Sequence, residues 1–241
     1  MSILGVDVST WQHDGDAPID WEKVRAAGYR FAIIKATQGT SWTNPWFERD
    51  YDEATWAGML VGAYHYYDTS GDAAAQAAHF VGTLIGRHLP VGAWLDYELP
   101  VANGYTASAD VGGFLQVAAD GRPGCGLYTN GYLHGLLKEV NAALPRLWIA
   151  DPGAEAPPEG ATCWQKSWTG QVPGVEGEVD IDEWLNVRGL NLDTAPKTRP
   201  AAAEVTPPQV AADAAQEAQD GPGDQEKGEG SSEATNALQG A

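Results

Sequence analysis

Eight short runs of apolar residues recur along the first 195 positions of the chain, and each has the length of a buried strand. The runs cover residues 3–8, 31–36, 60–67, 91–97, 126–129, 147–150, 162–168 and 179–184. Five segments with helical spacing follow the first five runs in turn, at residues 21–27, 50–57, 72–85, 107–119 and 131–144. Alternating strands and helices favour a parallel sheet with right-handed crossovers, and eight strands close into a filled barrel. The pattern therefore predicts an α/β fold, an irregular TIM-like (β/α)5(β)3 barrel.

A change in composition marks one boundary in the chain. From about Pro196 onward the sequence has no aromatic residue and few large apolar ones, and it is rich in Ala, Pro, Gly and Gln with many acids. Such a segment cannot bury enough apolar surface to fold alone. We therefore predict a catalytic barrel at 1–195 and a disordered acidic tail at 196–241.

The fourth apolar run, VGAWLDYE, ends in two carboxylates separated by one aromatic residue. Alternate residues of a strand share a face, so Asp96 and Glu98 are expected to project the same way. Two acids held side by side raise the pKa of one of them, and a carboxyl that keeps its proton near neutral pH is what a general acid requires. The alternative reading is a solvated strand end that carries two surface acids.

Other polar residues are expected at the same end of the barrel as Asp96 and Glu98, because the active sites of such barrels lie at the carboxyl ends of the strands. Asp7 ends the first run, whereas Asp180 lies near the start of the last run, so its place at this rim depends on where that strand begins. The polar and aromatic residues at or near the strand ends in between are Lys35, Tyr64, His65, Tyr66, Tyr128, Asn130, Trp148, Trp164 and Gln165. Acids and aromatic rings without a basic cluster suit a neutral polyol, that is, a carbohydrate. For each aromatic residue taken alone, packing in the core is the competing interpretation.

Charge and cysteine content exclude several other functions. The formal net charge is −19 with only 14 Lys and Arg, which argues against nucleic acid as a partner. Cys125 and Cys163 lie outside any CxxC spacing, so neither a zinc site nor a redox motif is indicated. We expect buried free thiols, while a disulfide between them would need an oxidising compartment. No window has the length of a membrane span, and the N-terminus lacks a Sec-type signal pattern.

A series of ordered sequence blocks resembles glycoside hydrolase family 25, the Chalaropsis-type lysozymes. The blocks span residues 3 to about 190 and read GVDVSTWQ, IDWEKVRAAGYRFAIIKATQGTSWTNPWF, GMLVGAYHYY, WLDYE, CGLYTN, LWIA, CWQ and VPGVEGEVDID. The resemblance implies an N-acetylmuramidase that hydrolyses the β-1,4 bond from N-acetylmuramic acid to N-acetylglucosamine in bacterial peptidoglycan. It also implies an irregular β/α barrel that uses no cofactor and no metal.

By this resemblance the family's acidic quartet falls on Asp7, Asp96, Glu98 and Asp180. Glu98 would be the general acid, with the like charge of Asp96 raising its pKa. Asp96 would orient the 2-acetamido group of the substrate as an internal nucleophile, or an acid would activate water directly. Asp180 and Asp182 compete for the last position, and the family pattern VDxN favours Asp180, with Asp182 standing where the family has Asn.

The resemblance also suggests residues that contact the substrate: Lys35, Tyr64, Tyr128, Trp148, Trp164 and Gln165. His65 is a candidate base, yet as a neighbour of Tyr64 it lies on the opposite strand face, which favours a structural histidine equally. Three departures from the family pattern fall at the edge of the groove and affect subsite contacts more than the reaction. They are Gln38 in KATQGT, Asp151 and Pro152 after LWIA, and KSW after Trp164 and Gln165.

Two other classes of function compete with a muramidase. A metal-dependent polysaccharide hydrolase or deacetylase would use the quartet and His65 as ligands, and a peptidoglycan-binding barrel would hold glycan without cleaving it. For the muramidase we expect a monomer that acts on glycan strands without nucleic acid or membrane insertion. The lack of a signal pattern suggests a bacteriophage endolysin that is kept in the host cytoplasm before release, or export by a non-Sec route.

Overall fold

The structure is a computed structural model that describes residues 1–98, 104–121, 124–139 and 146–197. Its strands are β1 (Ile3–Val8), β2 (Phe31–Gln38), β3 (Trp42–Thr43), β4 (Leu60–Tyr66), β5 (Ala93–Asp96), β6 (Gly126–Asn130), β7 (Leu147–Ala150), β8 (Ala161–Gly170) and β9 (Val179–Trp184). Its helices are α1 (Trp21–Ala26), α2 (Phe47–Trp56), α3 (Ala73–Thr83), α4 (Gly104–Gly121) and α5 (Gly131–Glu139), with a 3-10 helix at Thr10–Asp16. All eight predicted strands and all five predicted helices are present, although the end of the last predicted helix, 140–144, lies outside the described residues.

Eight strands close into a barrel with five α-helices, which confirms the predicted fold class. Parallel pairing runs from β1 through β2, β4, β5, β6 and β7 to β8. The last strand corrects the expectation of a parallel sheet, because β9 is antiparallel to both β8 and β1. Residues 171–178 form a short link without a helix, and such a link returns the chain in the opposite direction. The two-residue β3, which pairs only with the end of β2, was not predicted from the sequence.

Alternation along the strands separates two apolar cores. Outward-facing residues such as Val6, Ile34 and Leu95 pack in the layer between the sheet and the helices. Inward-facing residues fill the barrel, and four aromatic rings form its floor: Phe31, Trp94, Trp148 and Trp184. Neighbouring rings of this floor lie with centroids about 6 Å apart in edge-on contacts. The aromatic rings therefore fill the barrel below its rim. The inward-facing acids lie above these rings, near the carboxyl ends of the parallel strands.

Two glycines make room for the aromatic floor. A Cβ at Gly5 on β1 would overlap the ring of Phe31, and one at Gly126 on β6 would overlap the ring of Trp94. Any larger residue at either position would force the floor rings to move, so these glycines are required by close approach.

A buried pair ties the 3-10 helix that follows β1 to helix α2. His13 Nε2 lies 2.7 Å from Asp50 Oδ2, His13 Nδ1 lies 2.9 Å from the carbonyl oxygen of Ala17, and the imidazole stacks on Trp46 with centroids 4.0 Å apart. Trp21 Nε1 donates to the other carboxylate oxygen of Asp50 at 3.3 Å. These contacts fix the segment that leaves β1 just beyond Asp7.

The end of the described chain packs back against the outside of the barrel. Thr194 Oγ1 donates to the carbonyl oxygen of Gly58 at 2.6 Å, and the Lys197 amide donates to that of Trp56 at 2.7 Å. The predicted tail at 196–241 lies almost wholly outside the described residues, which end at 197. Within the described ranges, no helix combines the length and apolar character needed to cross a membrane.

Candidate active site

The four predicted acids meet at one mouth of the barrel. Asp7 lies near the end of β1 between Val6 and Val8, Asp96 ends β5, and Glu98 follows two residues later. The neighbours of Asp7 and Asp96 along the chain belong to the outer core, so the acids themselves face inward. Asp180 is the second residue of β9 and pairs with Asp7 in register. Because β9 is antiparallel, its first residues lie at the rim where the parallel strands end, and this places Asp180 in the site.

Gln165 on β8 organises the acids of β1 and β9. Its Nε2 donates to Asp7 Oδ2 and to Asp180 Oδ2, each at 2.9 Å. Its Oε1 accepts from Tyr128 OH and from Trp168 Nε1, each also at 2.9 Å. Since two donors fix the oxygen and two carboxyl groups take the nitrogen, the amide has one orientation. Gln165 therefore acts on the acids as well as lining the site.

Burial is the largest cause of the shifted pKa of the proposed acid Glu98. The half-buried Glu98 has its pKa raised to about 7 by burial and then by the charge of Asp7, while the charge of Lys35 acts in the opposite direction. The pKa of Asp96 is raised well above its usual value by burial and then by the charge of Glu98. The sequence led us to expect the like charge of Asp96 as the cause, whereas burial is the larger cause for both carboxyls, and their mutual repulsion appears in the raised pKa of Asp96.

The other two acids of the quartet differ in how firmly they hold a proton. Burial raises the pKa of Asp7 to about 6, and hydrogen bonds from Gln165 and Asp182 oppose that rise. Burial followed by the charges of Asp7 and Glu98 raises the pKa of Asp180 to about 9. Near neutral pH, Asp7 is therefore the more ionised member of this pair and Asp180 the protonated one.

Lys35 supplies positive charge to this acidic mouth. It lies on β2 with 5% of its surface exposed, and its Nζ donates to Gln38 Oε1 at 2.8 Å. Its Nζ also lies 4.9 Å from the ring centroid of Tyr66 and 5.1 Å from that of Trp42. Gln38, one of the departures from the family pattern, therefore contacts the lysine that lowers the pKa values of Asp96 and Glu98.

The predicted aromatic contacts lie at different depths. Tyr64 and Tyr128 face inward with 8% and 7% of their surfaces exposed, and both contact the ring of Trp148. Trp148 is only 1% exposed, and its Nε1 donates to Asp182 Oδ1 at 2.8 Å, so it supports the site from below. Trp164 precedes Gln165 and lies on the other strand face, where its Nε1 donates to the carbonyl oxygen of Asp151 at 3.0 Å.

Two residues of the site, one below the mouth and one at it, were not among the predicted site residues. Asp182 faces inward beside Asp180 and is fully buried. Trp168 is 39% exposed, and its contact with Gln165 places its indole at the mouth. In a regular strand, residues three positions apart lie on opposite faces, but an irregularity between Gln165 and Ser167 shifts the register. The alternating pattern alone could not show this shift.

His65 lies apart from the acids. It is fully buried on the outer face of β4 against Phe80 and Phe114, with Thr37 Oγ1 at 2.7 Å from Nδ1 and Gln76 Oε1 at 3.1 Å from Nε2. Burial lowers its pKa to about 3, so the imidazole is neutral. The structural interpretation of His65 is therefore the one that the contacts support.

The two cysteines were the remaining candidates for metal binding or disulfide formation. Cys125 and Cys163 are free and buried, and burial raises the pKa of the Cys125 thiol to about 12. In the part of the chain that the structure describes, no three His, Cys, Asp or Glu side chains are arranged to hold a metal ion.

Comparison with known proteins decides the family. The sequence model for glycosyl hydrolases family 25 matches residues 6–175, which is most of the barrel. The chain belongs to glycosyl hydrolase family 25. The matched range includes Asp7, Asp96 and Glu98 and ends before β9, where the structure adds Asp180 to the same mouth.

Relatives of this family 25 chain include two bacterial lysozymes. It is 32% identical over 187 residues to an autolytic lysozyme of Clostridium acetobutylicum, covering 76% of this chain and 56% of the relative. It is 33% identical over 210 residues to lysozyme M1 of Streptomyces globisporus, covering 76% of this chain and 67% of the relative. The chain thus spans little more than half the length of the first lysozyme and two thirds of the second.

A solved structure shares the family 25 barrel. The bacterial lysozyme from Streptomyces coelicolor superposes with a TM-score of 0.66 at 30% identity, covering 76% of this chain and 92% of the other. The likeness therefore extends over nearly the whole of that lysozyme.

Proposed function

We propose that this chain is an N-acetylmuramidase that hydrolyses the β-1,4 bond between N-acetylmuramic acid and N-acetylglucosamine in bacterial peptidoglycan. The observation that carries the proposal is the half-buried Glu98, whose pKa of about 7 keeps a large share of it protonated and able to act as an acid near neutral pH. Membership of family 25 and the similarity to lysozymes support the choice of substrate.

In this mechanism Glu98 protonates the glycosidic oxygen as the bond to the anomeric carbon breaks. Positive charge then develops on the sugar ring, and the carboxylate of Asp7 stabilises it, since Asp7 is the more ionised of the Asp7–Asp180 pair. Asp96 either orients the 2-acetamido group for attack on the anomeric carbon or positions a water molecule there. In the first route water then replaces the acetamido oxygen at that carbon and gives its proton to the Glu98 carboxylate, and in the second route the attacking water gives its proton to the Asp96 carboxylate. Asp180, protonated and held by Gln165, is placed to donate a hydrogen bond to a sugar hydroxyl.

The products of digestion test this function directly. Purified peptidoglycan is digested and the released fragments are analysed by mass spectrometry, before and after chemical reduction of the new ends. A muramidase leaves muramic acid at every new reducing terminus. Glucosamine at those termini, or release of peptides or acetate without new reducing ends, would contradict the proposal.

The same digestion separates the competing classes of function. Activity that survives exhaustive dialysis against a chelator and is not increased by added divalent cations is the expected result. Loss of activity on chelation, restored by one cation, would indicate a metal-dependent hydrolase or deacetylase. Retained binding to peptidoglycan without cleavage would indicate a binding barrel.

We also propose that the chain acts as a monomeric bacteriophage endolysin that waits in the host cytoplasm. Cleavage of peptidoglycan would suit this role. An enzyme held in the cytoplasm cannot reach the wall, so lysis would begin only when the membrane is opened. Expression in the cytoplasm should leave cells intact until a separate pore-forming protein is induced, and light scattering of the purified chain should give the monomer mass. Lysis without membrane opening, or a dimer mass, would contradict these two parts of the proposal.

A further inference from the structure

Asp182 occupies a second layer of the site, directly below the quartet. It lies on β9 two residues after Asp180, so both side chains point into the barrel. Its partners in register are Gly5 on β1 and Gln165 on β8. Gly5 has no side chain, and the ring of Phe31 fills the space that one would occupy. The nearest inward-facing side chain of β1 above Gly5 is that of Asp7, two residues further along the strand.

The contacts of the Asp182 carboxyl are unequal. Trp148 Nε1 donates to Oδ1 at 2.8 Å, and no donor among the described residues reaches Oδ2. The group is fully buried, and its titratable neighbours are the carboxyls of Asp7 and Asp180 and the thiol of Cys163. An ionised carboxylate there would have one hydrogen bond and repelling neighbours, which is a costly state in a buried site.

We propose that Asp182 is a positioning residue that keeps its proton at working pH and donates it in a hydrogen bond to the carboxylate of Asp7. In this arrangement Oδ1 accepts from Trp148 and the protonated Oδ2 donates to Asp7, so both oxygens of Asp182 have partners. Asp7 then receives hydrogen bonds from Gln165 and from Asp182. Two donors hold its carboxylate in one orientation and favour its charged form.

The direction of the pKa shifts agrees with this placement of the proton. Burial and the carboxyl of Asp7 raise the pKa of Asp182 well above its usual value, whereas the Asp182 hydrogen bond lowers that of Asp7. Asp182 is thus equivalent to a neutral donor such as an amide. This inference rests on the proposed function only where activity is the readout.

Infrared spectroscopy tests the protonation of Asp182 without reference to activity. Difference spectra between the wild type and Asp182→Asn are recorded at pH 8, where Glu98 is largely ionised. The expected difference is the loss of one protonated-carboxyl stretching band from the wild-type spectrum. A difference that contains only carboxylate bands would show that Asp182 is ionised and would overturn the proposal.

Activity measurements test the positioning role. Asp182→Leu keeps the approximate size but removes both hydrogen bonds, and we expect kcat to fall about tenfold to a hundredfold. Asp182→Asn restores a donor toward Asp7 and an acceptor for Trp148, so it should recover most of that loss and keep the wild-type pH of half-maximal activity. A profile moved to lower pH in Asp182→Asn would instead indicate the removal of a negative charge, and would contradict the proposal. If the wild type cleaves no glycan at all, the proposed function fails while the infrared result still decides the protonation of Asp182.

Discussion

Asp7 and Asp180 face each other across the antiparallel β1–β9 pair, and a single amide nitrogen, Gln165 Nε2, donates to both carboxyl groups at 2.9 Å. The two acids are far apart in sequence and become neighbours only because the last strand closes the barrel in the reverse direction. The antiparallel strand is therefore a functional feature of this barrel, since a parallel β9 would place the start of that strand, with Asp180, at the opposite end.

Replacing the side-chain amide of Gln165 with an apolar group should remove the hydrogen bonds that it donates to Asp7 and Asp180. Gln165→Met keeps the length of the side chain but leaves Asp7, Asp180 and Tyr128 without their shared partner. We expect kcat on purified peptidoglycan to fall about tenfold to a hundredfold, because the site loses several buried hydrogen bonds. Gln171→Met, at an exposed position just beyond β8, is the matched control and should behave as the wild type. Equal activity of the two variants would show that Gln165 has no organising role.

The pH dependence of activity should follow the protonation of Glu98. Since its folded pKa is about 7 and the protonated form is the active one, kcat/KM should decline as the pH rises through about 7. The charge of Lys35 lowers this pKa, so Lys35→Met should move the alkaline limb to higher pH. Lys166→Met, which removes a lysine paired with Glu183 at 3.1 Å on the outer face, should leave the limb in place. A limb that does not move in Lys35→Met would contradict this account of the electrostatics.

The stability of the barrel should decrease as the pH rises. The raised pKa values of Asp7, Glu98 and Asp180, about 6, 7 and 9, mean that the folded state holds protons that the unfolded chain has already lost. The stability that these protons contribute is complete below about pH 4 and is lost progressively up to about pH 9. Thermal unfolding between pH 5 and 9 should show a falling Tm, with a shallower fall in Asp180→Asn. A Tm that rises over this range would show that ionising these acids does not destabilise the folded state, and would contradict the raised pKa values.

Trp168 should contribute to substrate binding. Its indole is exposed at the mouth and anchored to Gln165, which suits stacking against a sugar ring. Trp168→Ala should raise KM about tenfold with a smaller effect on kcat, whereas Trp168→Phe keeps a ring and should recover most of the affinity. Steady-state kinetics on soluble glycan fragments separate the two parameters. An unchanged KM in Trp168→Ala would remove this residue from the binding surface.

The sequence predicted most of the barrel because strand and helix periodicities are local signals. It could not predict the direction of β9, which depends on how residues 171–178 return beside β8, so the position of Asp180 was left open. The irregularity after Gln165 likewise turns Trp168 toward the mouth against the simple alternation. Asp182 was weighed only as a rival of Asp180, whereas the structure places both in the barrel, one above the other.

The predicted site residues also differ in whether their positions follow from their own strand or from contacts with neighbouring strands. Placement of Asp7, Asp96 and Glu98 follows from alternation along their own strands, and the structure brings all three to one mouth. Trp148 and Trp164 were chosen as substrate contacts by position in a motif. In the structure Trp148 is buried and donates a hydrogen bond to Asp182, and Trp164 lies on the outer face of its strand and donates to the carbonyl oxygen of Asp151. Such assignments depend on what lies above and beside each strand, which sequence spacing does not contain.

The turnover of Glu98→Gln on purified peptidoglycan tests the central claim most directly. The amide keeps the size and hydrogen-bonding capacity of the side chain but has no proton to give, so kcat should fall by about a thousandfold, within the range that general acid catalysis contributes. Circular dichroism and the Tm should show a folded barrel, and Glu176→Gln, at an exposed acid, should retain wild-type turnover. Release of new reducing ends by Glu98→Gln at a rate within tenfold of the wild type would contradict the assignment of Glu98 as the acid.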